Sequence, residues 1–472
     1  MRLIFVHGWS VTNTDTYGEM PQALSAAASK YGLELDIQHV YLGRYISFHD
    51  EVTVDDISRA MDRALRELPG NSNKRITNFS CITHSTGGPV VRHWVDKFYG
   101  DKGLNKSPLR HLVMLAPANH GSSLAALGKK RVGRIKSWFQ GVEPGQRVLD
   151  WLCLGSDGQW SLNERYLNYN YADNKFFPFV LVGQGIDNKF YDFLNSYLVE
   201  KGSDGVVRVA GASMNYRYFS LVQSREKIVR KSPKTYLLEP DGNVRIPQPV
   251  PLGVYNNYSH SGTKMGIMRR AKKGDKNDPI IKDILKCLRV KTVRNYQDRA
   301  AELSALTKEQ QAKGKNRKDK EDGARYCMLV FNVKDDQGEH IGQDNYDLFL
   351  LAGNQYQPQK LPKHFFKDRQ MNNKNGRLVY YLNADKMKEI KDGKFGIRVV
   401  ARPSKGFSYY CVAEYHSDGV SAQNILIPNE TTYVDITLHR FVDKNVFRFD
   451  PAKNGPKNFK RIKPSGDPIN NG

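Results

Sequence analysis

The chain has 472 residues, and lysine and arginine exceed aspartate and glutamate enough to give a formal net charge of +23. This length exceeds a single core of usual size, so we expect two domains, and the 39% of hydrophobic residues is enough to fill both cores. The five cysteines are scattered without the spacing of metal ligands or of a disulfide framework, which excludes a zinc module and a small disulfide-rich secreted protein.

A strand is predicted at the very start of the chain. The run Met1–Val6 is largely apolar and ends in His7-Gly8-Trp9. No room remains ahead of it for a charged leader and a cleavage site, so we expect synthesis in the cytoplasm without a signal peptide. No later run has the length and apolar character of a membrane span.

Strands and helices then alternate along the chain. Residues 35–40 predict a second strand, and 54–68 have apolar residues at helical spacing ahead of a Pro-Gly stop. Further apolar strands are predicted at 79–82, 112–115 and 177–182, and a helix is predicted at 279–288. Such alternation favours a parallel sheet that helices cover on both faces.

The turn after the strand at 79–82 carries a serine. The strand runs into Thr83-His84-Ser85-Thr86-Gly87-Gly88, and Pro89 then opens a helix. A strand-to-helix elbow lifts a serine hydroxyl above the sheet and points helix N–H groups at whatever binds there. Against the G-x-S-x-G pattern, threonine replaces the first glycine. The residues therefore leave two interpretations open, a nucleophile at Ser85 or a structural turn.

Two backbone N–H groups are candidates for binding an oxyanion beside Ser85. In an acyl-transfer site, one such donor follows the nucleophile and the other lies in the loop after an early strand. These positions are Thr86 and Trp9 in this chain. An ordinary glycine turn after an edge strand would give the same His-Gly-Trp tripeptide.

Three short motifs occur in a characteristic order. A strand ends in His-Gly, a second is followed by His-Ser-x-Gly-Gly, and a third is followed by Ala116-Pro-Ala-Asn-His120-Gly-Ser122. This order resembles the α/β-hydrolase lipases, especially bacterial lipases and esterases, over roughly the first 290 residues. The resemblance implies an α/β-hydrolase sheet and a serine carboxylic-ester hydrolase with a Ser-His-Asp triad and neither metal nor organic cofactor. His120 would then shape the edge of the site.

The resemblance also implies the other two members of the triad. The segment S-D-G-V-V at 203–207 looks like the loop that carries the acid in lipases, with Asp204 at the matching position. Asp187 and Asp192 lie nearer the preceding strand and remain alternatives. In this fold the partners follow in the order serine, acid, histidine, and His260 is the one histidine in the stretch 121–339. The expected catalytic set is Ser85, Asp204 and His260.

Two segments of the first domain depart from the alternation. Residues 123–176 are rich in aromatic side chains, and insertions at this place in lipase-like folds often form a lid or cap over the acyl pocket. A packing cluster is the alternative interpretation. Farther along, Glu239-Pro-Asp-Gly242 between apolar runs predicts a hairpin to which we assign no function.

Changes in composition predict the domain boundaries. The hydrolase domain is placed at 1–293, and 294–325 is dense in both charges, as a solvated linker is. Short strands with turn signals then predict an accessory domain at 326–450, an antiparallel β-sandwich without a catalytic constellation. Residues 451–472 are expected to form a basic tail.

The strong positive charge favours a polyanionic partner. Anionic phospholipid membranes and nucleic acid both qualify, but the sequence has no visible nucleic-acid recognition module or basic reading helix. Together with the elbow serine and the aromatic insertion, the charge favours a lipid ester, most of all a phospholipid at a membrane surface.

The architecture adds a second resemblance. A lipase-type domain without a signal peptide, joined to a β-rich domain and basic overall, resembles the phospholipase effectors that some bacteria deliver by type VI secretion. That resemblance implies export to a target cell and an immunity or secretion-apparatus protein as partner. Two other functions remain open: an intracellular esterase or thioesterase on soluble substrates, and a catalytically inactive hydrolase scaffold used for binding.

Overall fold

The computed structural model describes residues 1–7, 17–41, 51–128, 145–186, 200–229, 233–315, 323–402 and 407–443. The strands in these residues are β1 Arg2–His7, β2 Asp36–Tyr41, β3 Phe79–His84, β4 Leu109–Leu115, β5 Phe177–Gly183, β6 Tyr216–Lys227, β7 Thr235–Pro240, β8 Leu252–Tyr255, β9 Tyr326–Asp335, β10 Tyr346–Ala352, β11 Phe366–Met371, β12 Leu378–Asn383, β13 Phe395–Ala401, β14 Ser408–Tyr409, β15 Val412–His416, β16 Thr431–Leu438 and β17 Phe441–Val442.

The α-helices of the same residues lie mostly in the first 315 positions. They are α1 Met20–Ala28, α2 Val54–Glu67, α3 Gly87–Phe98, α4 Ser123–Gly128, α5 Gln146–Leu152, α6 Asp157–Tyr166, α7 Val209–Ala212, α8 Pro279–Leu288, α9 Val293–Lys315 and α10 Ala422–Ile425. None of these described helices combines the length and the apolar character that crossing a bilayer requires.

Parallel strands form the first sheet, in the order β2-β1-β3-β4-β5-β8. Strands β3 and β5 are buried along their whole length, as strands covered on both faces must be. Helix α2 begins with a capping box between Thr53 and Asp56 and packs against α3. The α/β-hydrolase sheet predicted from the sequence is confirmed. The carboxyl ends of its strands share one edge, where the sites of such sheets lie.

A second sheet follows the order β10-β13-β15-β7-β6-β16-β9-β12-β11. It buries Leu329, Phe331 and Ile397 in a core separate from that of the first sheet. The prediction of a β-rich C-terminal domain is confirmed, but strand direction needs a correction. The pairs β15–β7, β16–β6 and β16–β9 are parallel, so the domain is built on one continuous mixed sheet where the sequence predicts an antiparallel sandwich.

Two strands of the second sheet come from the stretch between Asp204 and His260. Strands β6 and β7 pair antiparallel and lie between β16 and β15. The predicted hairpin at the Glu-Pro-Asp-Gly turn is therefore wrong, because both edges of β7 are already occupied by β6 and β15. The turn instead leads to a single bridge between Tyr218 and Arg245. The chain thus contributes β6 and β7 to the second sheet before it forms β8, the last strand of the first sheet.

The segment predicted as a charged linker begins with a helix that packs on the first sheet. In α9, Tyr296 and Leu303 are buried. The Tyr296 hydroxyl donates to the Pro178 carbonyl oxygen at 2.8 Å, and the Thr307 hydroxyl donates to that of Leu252 at 3.0 Å. The described part of this segment is therefore docked on the hydrolase sheet, while the domain boundaries themselves stay predictions.

The aromatic insertion packs, in its described part, against the second sheet. Residues 129–144 of the insertion lie outside the described residues. The ring of Trp160 in α6 meets those of Tyr218 and Tyr433 at centroid distances of 5.3 and 5.0 Å, and Tyr166 is buried. These side chains fit the packing-cluster interpretation, and a lid or cap formed by the insertion stays a prediction.

Candidate active site

Ser85 lies in a strained turn between β3 and α3. Its φ is +53°, in the left-handed region that residues other than glycine rarely occupy. The Ser85 N–H donates to the carbonyl oxygen of Leu115 at 3.0 Å, and the Gly88 N–H donates to the Ser85 carbonyl oxygen at 3.2 Å. The turn therefore holds the serine hydroxyl at the carboxyl end of β3, in the manner of a nucleophile elbow.

Thr83 occupies the position of the first glycine in the elbow pattern. The turn has room for its branched side chain because residue 87 is glycine. Thr83 is fully buried, and a Cβ on Gly87 would lie only 3.3 Å from the Thr83 Cβ. A Cβ on Gly88 would lie 2.7 Å from the Pro117 Cβ. The strand side of the elbow thus carries the branched residue and the helix side carries two glycines, which preserves the close contact of strand and helix.

We expect the Thr83 hydroxyl to be dispensable for both stability and turnover. Among the described residues it is buried and has no hydrogen-bond partner. Thr83→Val keeps the shape and removes the unsatisfied group, so we expect a variant as stable as the wild type or up to about 1 kcal/mol more stable, with turnover within about two-fold. Denaturant unfolding and ester turnover measure both. A variant that is folded but inactive would show that this hydroxyl takes part in the site.

Side chains from three separate loops form a hydrogen-bonded chain at this edge of the sheet. His260 Nε2 lies 3.0 Å from Ser85 Oγ, and His260 Nδ1 lies 2.9 Å from Asp204 Oδ2. The other oxygen, Asp204 Oδ1, accepts from the N–H groups of Val206 and Val207 at 3.0 and 2.8 Å. Asp204 is 0% exposed and His260 is 3% exposed. With its proton on Nδ1 toward the carboxylate, the imidazole presents the Nε2 lone pair to the serine hydroxyl.

Glycines at the end of β5 allow the histidine loop to come close. A Cβ on Gly183 would lie 2.0 Å from the carbonyl oxygen of Tyr258, and the Gly185 N–H donates to that same oxygen at 2.9 Å. The His260 N–H in turn donates to the carbonyl oxygen of Asp204 at 2.9 Å. Backbone contacts therefore fix the acid and histidine loops to each other as well as to the sheet.

His84, to which the sequence patterns assign no role, lies directly against His260. The two ring centroids are 4.5 Å apart, and His84 Nε2 donates to the His260 carbonyl oxygen at 3.2 Å. Burial, and then the nearby His260, lower the pKa of His84 well below its usual range. His84 therefore stays neutral and adds no charge beside His260. The position of His84 immediately before the elbow serine was the one sequence feature that could have placed it at the site.

His120 lies outside the hydrogen-bonded chain. Its Nε2 donates to the Ser213 carbonyl oxygen at 2.8 Å, and its Nδ1 accepts from the Tyr433 hydroxyl at 2.7 Å. Burial lowers the pKa of His120 to about 3. These contacts tie the loop after β4 to the second sheet, and a role for His120 in shaping the edge of the site stays a prediction.

One of the two candidate oxyanion donors is described. Thr86 is the N-cap of α3, so its N–H lies at the positive end of the helix dipole, where an oxyanion is favoured. Trp9, the other candidate donor, and Asp187 and Asp192, the alternative acids, lie outside the described residues. Within the described ranges, no group of three or more His, Cys, Asp or Glu side chains could hold a metal ion.

Fold and site together define an ester hydrolase of the α/β-hydrolase class, because a serine held at such an elbow beside a buried imidazole is equipped for acyl transfer. Comparison with solved structures narrows this class. The chain is 43% identical to the phospholipase PlaB from Legionella pneumophila in complex with thio-NAD, with a TM-score of 0.86 and 100% of each chain covered. A second PlaB structure gives 44% identity, a TM-score of 0.84 and 99% of each chain covered. The chain belongs to the family of PlaB. No protein-family model matches the chain, and no curated protein does.

Proposed function

We propose that this protein hydrolyses acyl esters of phospholipids at membrane surfaces and that Ser85, His260 and Asp204 carry out the reaction. The main support for the proposal is the series of hydrogen bonds from Ser85 Oγ through both His260 nitrogens to the Asp204 carboxylate, at 3.0 and 2.9 Å. A hydroxyl, an imidazole and a carboxylate in this order are the groups that acyl transfer through a serine requires.

The proposed reaction has two halves. His260 Nε2 takes the proton of Ser85 as Oγ attacks the ester carbonyl, while Asp204 stabilises the imidazolium and the Thr86 N–H binds the oxyanion, with Trp9 as the second proposed donor. The imidazolium then gives its proton to the departing alcohol, which leaves an acyl group on the serine. Water, deprotonated by the same imidazole, attacks this acyl carbonyl; the bond to Oγ breaks, the imidazolium returns the proton to Ser85 Oγ, and the fatty acid leaves.

Two observations support a phospholipid as the substrate. The relative that matches over its full length is named a phospholipase. The formal charge of +23 favours association with an anionic bilayer surface, which raises the local concentration of enzyme at its substrate. An uncharged soluble ester would gain nothing from that charge.

Fatty-acid release from vesicles tests the substrate class. Wild-type protein and Ser85→Ala are compared on phosphatidylglycerol vesicles, on phosphatidylcholine vesicles and on soluble p-nitrophenyl butyrate. We expect release from both kinds of vesicle, faster from the anionic ones, and its loss in the variant. Hydrolysis of the soluble ester alone would contradict the phospholipase and favour an esterase that acts on soluble substrates. No hydrolysis of any of these substrates would favour the catalytically inactive scaffold used for binding.

A dinucleotide is a further proposed ligand. The relative was solved with thio-NAD bound, and we propose that this chain binds the same class of molecule. Equilibrium dialysis with NAD measures such binding, and no binding at millimolar NAD would contradict the proposal.

Delivery to a target cell through a type VI secretion apparatus, with an immunity protein in the producer, is proposed from the architecture-level resemblance alone. The expected result is that the protein reaches the culture medium from a producing strain and fails to do so when the apparatus is deleted. Equal amounts in both media would contradict this route.

A further inference from the structure

The loop that carries Asp204 lies against the second sheet. We call residues 200–212 the acid loop. Within it, the Asp204 N–H donates to the Val207 carbonyl oxygen at 3.2 Å, and the Val209 N–H donates to that of Gly202 at 2.9 Å. These short-range bonds fold the acid loop upon itself. Where the loop sits relative to the first sheet depends on contacts beyond the loop.

Arg208 makes the first of these contacts. Its side chain is 2% exposed, and its guanidinium donates to Glu200 of the same loop at 2.8 and 2.5 Å. The same guanidinium donates to Asp368 of β11 and lies 4.2 Å from the centre of the Tyr381 ring of β12. A guanidinium that stays buried without its carboxylates would be an uncompensated charge, which is costly, so these ion pairs favour one position of the loop.

Tyr381 makes the second contact. Its single O–H is shared between the carbonyl oxygens of Lys201 and Gly202, at 2.9 and 3.1 Å. A Cβ on Gly202, which has a φ of +74°, would lie 2.2 Å from the ring of Tyr326, and this ring stacks on that of Tyr381 at 4.9 Å. The backbone two residues before Asp204 thus rests directly on a pair of tyrosine rings.

The other end of the acid loop is held from the second sheet as well. The Thr431 hydroxyl, at the start of β16, donates to the Ala210 carbonyl oxygen at 2.9 Å. From the first domain, the Ser122 hydroxyl donates to the Val206 carbonyl oxygen at 2.8 Å. Contacts with β11, β12 and β16 therefore hold the loop on both sides of the carboxylate.

We propose that the second sheet is a positioning element for the acid of the triad, with Arg208 and Tyr381 as its principal positioning residues. The inference rests on the proposed function, because it takes Asp204 as the catalytic acid. Both residues act through the loop backbone, on either side of Asp204. Loosening either contact lets the carboxylate leave its place 2.9 Å from His260 Nδ1, and a displacement of about 1 Å can cost about 100-fold in turnover.

Conservative variants of the two positioning residues test the proposal. Tyr381→Phe removes one hydroxyl and keeps the ring under the guanidinium. Arg208→Lys keeps the buried charge and removes the planar fork that reaches both carboxylates. Asp368→Asn, on a side chain that is 30% exposed, removes the partner charge on the second sheet without altering the acid loop itself.

Matched controls alter contacts of the same kind that do not reach the acid loop. Tyr380→Phe, at the next residue of β12, also loses a hydroxyl bond to a backbone carbonyl, that of Leu348. Arg377→Lys alters another buried arginine, directly before β12, which pairs with Asp157 of α6 and lies 4.6 Å from the ring centre of Trp160.

The readout is the split between kcat and KM of the full-length variants on soluble p-nitrophenyl butyrate. We expect kcat to fall about 10-fold in Tyr381→Phe and about 100-fold in Arg208→Lys, with KM within about two-fold. Both controls should stay within about two-fold of the wild type in kcat. In an Asp204→Asn background, Tyr381→Phe should cost nothing further, because the group that it positions is already gone.

Wild-type kcat in both Tyr381→Phe and Asp368→Asn would overturn the inference, as would losses that add fully in the Asp204→Asn background. If Arg208→Lys does not fold, Asp368→Asn still tests whether the ion pair between the acid loop and the second sheet affects kcat. Failure of the proposed function would look different, since Ser85→Ala would then hydrolyse the ester at the wild-type rate whatever the variants of the acid loop do.

Discussion

Ser85→Ala is expected to lower kcat for ester hydrolysis by at least about 1,000-fold while the protein stays folded. The substitution removes the oxygen that lies 3.0 Å from His260 Nε2 and that would carry the acyl group. The turn itself is held by the backbone, through the bond from the residue 85 N–H to the Leu115 carbonyl oxygen. Loss of one partly exposed hydroxyl should cost about 1 kcal/mol or less.

Turnover on vesicles and on a soluble ester, together with the denaturant midpoint, measures this prediction. Ser80→Ala is the matched control, because Ser80 lies on the same strand and its hydroxyl also bonds a histidine, His111 Nδ1, at 2.7 Å. That control should lose stability and keep turnover. A Ser85→Ala variant with turnover near that of the wild type would remove Ser85 from the reaction.

Asp204→Asn should cost about 10,000-fold in kcat, with a well-folded protein. The two backbone N–H groups of Val206 and Val207 require an oxygen at the Oδ1 position, so the amide nitrogen must face His260. An amide N–H opposite Nδ1 favours the tautomer with its proton on Nε2. The Ser85 hydroxyl then faces a donor instead of the lone pair that would take its proton.

Steady-state kinetics on the soluble ester measure this loss, and Asp187→Asn and Asp192→Asn provide the comparison. Those two residues are the alternative acids of the sequence, and each of their variants should keep turnover within about three-fold. A large loss in one of them, with Asp204→Asn active, would move the acid assignment to that residue.

Local signals in the sequence were enough to predict the elbow and its sheet. A short apolar strand, a serine followed by glycines, and Pro89 at the start of the helix lie in one continuous piece of chain, so a local pattern is enough to recognise them. The resemblance of the segment 203–207 to the acid loop of lipases then implied Asp204, and the order of serine, acid and histidine in the chain pointed to His260. The structure brings these two side chains and Ser85 within hydrogen-bonding distance of one another.

Long-range pairing is what the sequence could not reveal. The partners of β7 are β6 and β15, and a local turn signal after β7 says nothing about either. In the same way, Arg208 meets Asp368 across 160 residues of chain, and no spacing rule links them. The strand pattern predicts the existence of the second domain, but its sheet order and its contact with the acid loop follow from the tertiary fold.

The sequence of α9 contains a helical pattern of buried residues, but the charge density of the segment led to a different prediction. The charge density of 294–325 favours a solvated linker. Yet Tyr296, Leu303 and Thr307 recur on one helical face, and that face contacts the first sheet. A few apolar residues at helical spacing were enough to dock a segment whose composition is mostly charged.

Covalent labelling with a fluorophosphonate measures whether the serine at position 85 is activated. The reagent bonds to a serine whose proton a neighbouring base removes. We expect one adduct per chain, located on Ser85 by peptide mass, absent from Ser85→Ala and much slower to form in Asp204→Asn. An adduct on another residue, or equal labelling of Ser85→Ala, would contradict this expectation.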